Sequence, residues 1–379
     1  MIRKIDTHTD IVRVRGYLNI DRRQLLQGMA AVGGLMAAGA APSKVHAATA
    51  INYVGWEGYD SFLEAGGFLE KSGAEFQKTY ISGPDEIITK LRLSANQVDI
   101  CTPYFIHDDF LANEGLLEPL DLSKIPNFGK IHPVILEICK NNMSEGDRWY
   151  AAPMTYGSIC MVYNADETVA PTSWADMLKD EYKGKCAITN DPPGNLFAWA
   201  RVAGVENPSH MTHEELNKTV ELLIDLKRNH LRTIAPSYGD LIDMLAKKEI
   251  ILAQGWEPVS TWVEGANIKP AYPKEKSMSY VEGYAIGKGS SNVDVAHAII
   301  NNGLSLEGQL AGAAQSMPVV NVDAMAQDSE ANRMLYSYDS VEDYFTVKTQ
   351  VIPMYPLESD GVYASWDEYQ EAWERVLKS

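Results

Sequence analysis

The sequence predicts an α/β protein of two domains, and three observations carry that prediction. Strand, helix, strand, helix and strand follow one another within residues 51–102, the alternation of a layered α/β sheet. Residues 48–379 exceed the usual size of a single core, so two domains are expected. Two strand-like runs, 155–164 and 280–289, read as places where the chain passes from one domain to the other.

The first 47 residues read as an export signal outside the fold. Arg22 and Arg23 form a twin-arginine pair ahead of Gln24-Leu25-Leu26. A soft Gly/Ala-rich apolar run spans 28–41, and Val45-His46-Ala47 is a small-x-small cleavage site. The run is too short for a bilayer span, which needs about 20 apolar residues. The expectation is a chain exported by the twin-arginine route and, with no lipid-attachment cysteine after the signal, free in the periplasm.

Residues 1–47 carry seven Lys/Arg and three Asp, so the rest of the chain is near −22 against −18 for the whole. That charge argues against nucleic acid, which wants a basic face. It suits a cationic small molecule as partner. The four cysteines, Cys101, Cys139, Cys160 and Cys186, have spacings of 38, 21 and 26 that fit no zinc motif. They are either disulfide-bonded in an oxidising compartment or buried thiols.

The elements follow in order. Ile51-Asn52-Tyr53-Val54-Gly55-Trp56 is a strand, a helix over 60–71 stops at Gly73, 74–79 is a strand and 85–94 a helix. Residues 98–102 form a third strand, 110–115 a short helix and 131–139 another helix. After the long strand 155–164, Thr172 or Ser173 caps a helix. Strand 185–189 leads into a turn, Asn190-Asp191-Pro192-Pro193-Gly194, with a helix over 196–202. Thr212 and Glu215 make a capping box for a helix to Asn229. A helix over 238–248, strand 250–255 and extended 268–272 precede strand 280–289. Helices over 292–302 and 304–314 follow, and Ser365-Trp366-Asp367-Glu368 caps a last helix to Leu377.

Catalytic constellations are missing from the pattern. There is no phosphate-cradling glycine loop and no G-x-S-x-G. His210 and His213 flank a helix start and read as a solvated cap. Asp108 and Asp109 are adjacent, so their side chains diverge, and they read as surface acids. What recurs is an aromatic beside a carboxylate at or beyond a strand end: Trp56-Glu57 with Tyr59-Asp60, Asp191 in its turn, Trp256-Glu257, and Tyr280 with Glu282. Tyr104, after the third strand, adds an aromatic without an acid. Open α/β sheets bind ligands at the carboxyl ends of their strands. Aromatic faces and carboxylates together suit an ammonium or quaternary ammonium group. Glu282, between Val281 and Gly283, is the odd acid of its strand and is expected to face a cation in a cleft.

In these residues the chain resembles the periplasmic spermidine/putrescine-binding proteins, the solute-binding components of ABC importers. The matching pieces run in order: Asn52-Tyr53-Val54-Gly55-Trp56-Glu57-Gly58-Tyr59, Val98-Asp99-Ile100, Glu114-Gly115-Leu116-Leu117-Glu118-Pro119-Leu120-Asp121, Lys124-Ile125-Pro126-Asn127, Trp149-Tyr150-Ala151-Ala152-Pro153, Pro171-Thr172-Ser173-Trp174-Ala175-Asp176 and Tyr182-Lys183-Gly184-Lys185. The resemblance implies a two-lobed periplasmic binding protein fold of type II, with the ligand cleft between lobes joined by crossing strands. One lobe would comprise 48–154 plus 284–306, the other 155–283 plus 307–379.

The resemblance also implies a function without catalysis, metal or cofactor: capture of a small cationic amine and its delivery to the membrane permease of an ABC transporter, by a monomer. The expected ligand contacts are Trp56, Tyr59, Tyr104, Asp191, Trp256, Glu257, Tyr280 and Glu282. Tyr280 and Glu282 fall where that family places a tryptophan and an aspartate. Pro192-Pro193-Gly194-Asn195 lacks the second acid of the family's turn, and Ser316-Met317-Pro318-Val319 replaces its tyrosine-proline motif. Spermidine, putrescine, a quaternary amine or betaine, and a thiamine-like or other zwitterion therefore all stand open; an exported α/β hydrolase is the more distant alternative. A zwitterion would need a positive group, for which Arg201 and Lys185 are the candidates.

Overall fold

The structure, a computed structural model, describes residues 48–379 apart from Ser82 and Met354. The expected export signal lies outside the described residues. The first strands, β1 (Thr49–Gly55), β2 (Ala74–Tyr80) and β3 (Ile100–Cys101), alternate with helices α1 (Asp60–Glu64), α2 (Phe68–Ser72) and α3 (Pro84–Ser94). The single helix expected over 60–71 is two. Gly66 and Gly67 take φ of 66° and 64°, a left-handed conformation that breaks the helix between α1 and α2. Helices α4 (Asp108–Asn113) and α5 (Pro133–Met143) follow.

The chain then enters β4 (Ala151–Asn164), a 14-residue strand buried along its whole length. Next come β5 (Cys186–Thr189), α6 (Pro192–Val202), α7 (His213–Asn229), β6 (Leu231–Ala235), α8 (Tyr238–Ala246), β7 (Leu252–Trp256), β8 (Ile268–Ala271) and β9 (Ser277–Gly287). The residues expected to form a turn at 190–194 open α6 instead. Asp191 is its N-cap and Pro192 its first residue, because proline's fixed φ suits a first helical turn whose N–H would be unpaired anyway. The capping box of α7 forms as expected, Thr212 and Glu215 each bonding the other's backbone.

The main sheet runs β2-β1-β3-β9-β4-β7-β5-β6, with β8 also on β4. β1 is parallel to β2 and β3, and β5 is parallel to β7 and β6. Between these two parallel halves lie β9 and β4, antiparallel to each other and fully buried. β9 meets β3 through Ala285 and Cys101, while β4 meets β7 over Ile159 to Tyr163. These are the two strands that tie one lobe of the bilobed α/β fold to the other. Their register shifts between Glu282 and Gly283, an irregularity of the kind that re-aims a side chain.

Helices α9 (Val293–Gly303) and α10 (Leu306–Ala313) pack on α1, while the last helix, α11 (Trp366–Lys378), packs on α6 and α7. Residues 307–379, grouped with the second lobe on sequence, thus pack against both halves. Ser365 and Glu368 cap α11 reciprocally. All four cysteines are free and buried, which decides for thiols over bridges. Among the described residues no helix is long and apolar enough to cross a membrane.

Candidate ligand-binding site

The strand ends converge where β4 and β9 cross. Trp56, just past β1, donates its N–H to Thr102 Oγ1 at 3.2 Å and accepts from the Tyr53 hydroxyl at 3.0 Å. Three residues on, the Tyr59 carbonyl accepts from Tyr284 on β9 at 2.7 Å, so the first loop is pinned to a crossing strand. Burial and then the charge of Glu282 push the Tyr59 phenol up. Tyr104 packs edge-on against Phe105 and His107 at 5.5 and 5.9 Å. Its phenol is pushed up by burial, then by Asp191 and Glu282.

On the other side, Trp256 ends β7 and stacks on Tyr238, with ring centroids 4.0 Å apart and planes inclined by 25°. It lies 6.3 Å from the ring of Tyr280. Tyr280 is 8% exposed, and after burial it is the Tyr59 phenol that acts on it most. Asp191 accepts a long hydrogen bond from Gly194 N at 3.5 Å, and burial pushes its carboxyl up to about 6.

Glu282 is 3% exposed, and its Oε2 has no hydrogen-bond partner among the described residues. Burial alone raises its carboxyl well above the ordinary range. Among the described residues no lysine or arginine shifts the Asp191 or Glu282 carboxyl. An ionised carboxylate out of water without a partner is costly, so burial favours the protonated form of Glu282 unless a cation meets it.

The structure commits Glu257 elsewhere. It is wholly buried and accepts from Ser158 N at 3.0 Å, Ser158 Oγ at 2.5 Å, Tyr344 at 2.6 Å and Tyr272 at 3.3 Å. Its oxygens are filled by the protein, so it is a clamp between β4 and the C-terminal segment and not the ligand acid expected of it.

Two residues were missed or misread. Tyr238, stacked on Trp256, follows β6 with Asp240 two residues on, so the strand-end pattern could have found it. Asp108, expected at the surface, is 0% exposed, and among the described residues neither of its carboxylate oxygens has a hydrogen-bond partner. An adjacent acid pair carries no signal that one member turns inward when α4 packs. Of the candidate positive groups, Arg201 donates to the carbonyls of Glu275, Val205 and Glu206, and Lys185 is exposed; neither pairs with the site acids. Among the described residues no group of three or more His, Cys, Asp and Glu is placed to hold a metal.

The lobes meet over this cluster. The Trp366 ring lies 5.6 Å from His107. Trp262 donates to the Gln315 carbonyl at 3.3 Å. Beside that contact an open depression of about 440 Å³ is lined by Glu57, Gly58, Trp262, Gln315 and Met317.

A bilobed sheet with its polar cluster at the crossing strands is the build of a protein that binds a small solute between its lobes. The chain belongs to the bacterial extracellular solute-binding protein family, which it matches over residues 65–334. That family transports solutes and is not catalytic. Two relatives are from Escherichia coli K12. The chain is 25% identical to the spermidine/putrescine-binding periplasmic protein over 285 residues, covering 70% of this chain and 77% of the relative. It is 23% identical to the putrescine-binding periplasmic protein PotF over 300 residues, covering 74% and 79%. Its fold is similar to that of the spermidine/putrescine ABC transporter substrate-binding protein PotD from Streptococcus pneumoniae, with a TM-score of 0.69 at 20% identity, covering 87% of this chain and 99% of that one.

Proposed function

We propose that this protein captures a cationic amine of the polyamine kind between its lobes and delivers it to the membrane permease of an ABC importer. One observation carries the reading. Glu282 is an acid withdrawn from water whose Oε2 has no partner among the described residues, and Asp191 is a half-buried acid at the start of α6, in company with Tyr59, Tyr104, Trp256 and Tyr280. An ammonium group supplies the countercharge. Its N–H groups make charge-assisted hydrogen bonds to the carboxylates, and aromatic faces add up to about 2 kcal/mol of cation–π attraction when desolvated. The polyamines in the names of the relatives agree with that chemistry.

In this reading Trp56, Tyr59, Tyr104, Asp191, Trp256, Tyr280 and Glu282 contact the ligand. The two lobes, joined by β4 and β9, close on it, and binding populates the closed form by its preference for that state. The closed monomer then docks on the permease. The working compartment is the periplasm, reached by the twin-arginine route through residues 1–47.

A thermal-shift panel of the purified protein against putrescine, spermidine, glycine betaine and amino acids tests the reading. A ligand at 100 times its Kd stabilises by about 2.7 kcal/mol, so a bound polyamine raises the melting temperature by several degrees. If only an anionic or zwitterionic compound does so, the amine reading is wrong.

A further inference from the structure

We propose that Gln254 positions Asp191 for the ligand: the free half of its side-chain amide donates to the ionised carboxylate and holds it toward the ammonium group. The inference rests on the amine reading and adds a residue to it. Gln254 lies on β7 two residues before Trp256, so the two side chains leave the strand on the same face. It is 1% exposed. Its Oε1 accepts from Thr189 N at 3.2 Å and from Thr189 Oγ1 at 3.1 Å. A backbone N–H only donates, which fixes the amide oxygen on the Thr189 side and turns the NH2 group the other way. That Nε2 has no hydrogen-bond partner among the described residues.

The NH2 group reaches the first turn of α6. A Cβ on Gly194 would stand 3.0 Å from Gln254 Nε2 and 2.6 Å from Asp191 Oδ2. The buried donor and the carboxylate oxygen thus lie within 3.0 Å of a single point, in space that a glycine leaves open. Asn195 Nδ2 donates to the carbonyls of Thr189 and Asp191, each at 2.8 Å. The backbone at Asp191 is therefore tied to the same Thr189 that holds Gln254. The carboxylate keeps its rotation about Cβ–Cγ, a soft torsion.

A buried donor left unpaired is costly, and a turn of the carboxylate toward Nε2 removes that cost. The bond formed is charge-assisted and favours the ionised acid, the form that attracts an ammonium group. The phenols of Tyr104, Tyr238 and Tyr355 feel the Asp191 charge, but burial first holds all three well above their ordinary range. They stay neutral, so titration near neutral pH at this corner belongs to Asp191.

Calorimetry with putrescine on the wild type, Gln254→Met, Asp191→Asn and the double variant tests the proposal. Asparagine serves as well as aspartate at the N-cap of α6. Gln254→Met is expected to lose at least about tenfold in affinity in the wild-type background and less than about threefold in the Asp191→Asn background. With Asp191 in place it is also expected to move the loss of affinity on acidification to higher pH. A purely structural Gln254 would give equal losses in both backgrounds and an unmoved pH profile; that result overturns the proposal and leaves the amine reading standing. If Gln254→Met does not fold, NMR decides. The Gln254 side-chain NH2 resonance of the wild type is expected to shift with pH about the midpoint of the affinity profile, and to stay fixed in Asp191→Asn. A resonance indifferent to pH in the wild type overturns the proposal. Failure of the wild type to bind putrescine at any pH overturns both it and the amine reading.

Discussion

The phenol of Tyr280 lies across Gly157, its partner in the β9–β4 ladder, with Cζ 2.6 Å from where a Cβ on Gly157 would stand. The bare backbone of one crossing strand is therefore the seat for an aromatic of the other. Gly157→Ala is expected to push Tyr280 off that seat, costing about 1–3 kcal/mol of stability as overpacking does and at least tenfold in amine affinity. Denaturant titration and calorimetry on the same variant separate the two effects. Wild-type affinity would show that Tyr280's position does not matter to the ligand.

Glu282 links stability to binding with opposite signs. Its carboxyl is raised by burial, so between the unfolded value, about 4.3, and its folded one the native state holds the extra proton, and stability falls as pH rises through that window. Glu282→Gln removes this loss. The variant is expected to be at least as stable as wild type at pH 7.5 without ligand, yet to bind putrescine at least 100-fold more weakly. Paired melting curves and calorimetry check both halves, and a destabilised variant with intact affinity would contradict them.

Asp191 sets a pH dependence of binding. Its carboxyl is pushed up to about 6, and an ammonium group binds its ionised form. Affinity is expected to fall about tenfold for each pH unit below 6 and to change little from this group above 7. Calorimetry at pH 5, 6 and 7.5 in buffers of different ionisation enthalpy reads the slope and the protons released. A flat profile between pH 5 and 7 would place Asp191 away from the ligand's charge.

Glu257→Gln is a stability variant first. Four donors from Ser158, Tyr272 and Tyr344 meet the carboxylate, and an amide would turn its own NH2 toward some of them. A loss of about 2 kcal/mol or more is expected, with a smaller affinity change than for Glu282→Gln. Unchanged denaturation with abolished binding would return Glu257 to the ligand shell.

The four thiols should be silent in the native protein. All are buried, and burial raises Cys101, Cys139, Cys160 and Cys186 alike, which suppresses the reactive thiolate. A thiol reagent should label none of them rapidly in buffer and all four in denaturant without reductant. Fewer than four in denaturant would reveal a disulfide.

The sequence by itself determined what depends on neighbours in the chain. The alternation of strands and helices, the capping boxes Thr212–Glu215 and Ser365–Glu368, the stop at Gly73 and the aromatic and acidic residues at the strand ends are written in local pattern, and those patterns survive into the structure because capping and periodicity act over a few residues. The tertiary structure alone decided which acids lose water and which find donors. Glu257 and Glu282 look alike in sequence, each an acid beside or near an aromatic at a strand end. Packing of the C-terminal segment brings Tyr344 to the first, where Tyr272 after β8 joins it, and among the described residues no donor reaches Oε2 of the second. Asp108 passed for a surface acid until the packing of α4 turned it inward. Whether a carboxylate is a clamp or a binding group is settled by partners that arrive through the fold, and the crossing of β4 and β9 is where they arrive or fail to.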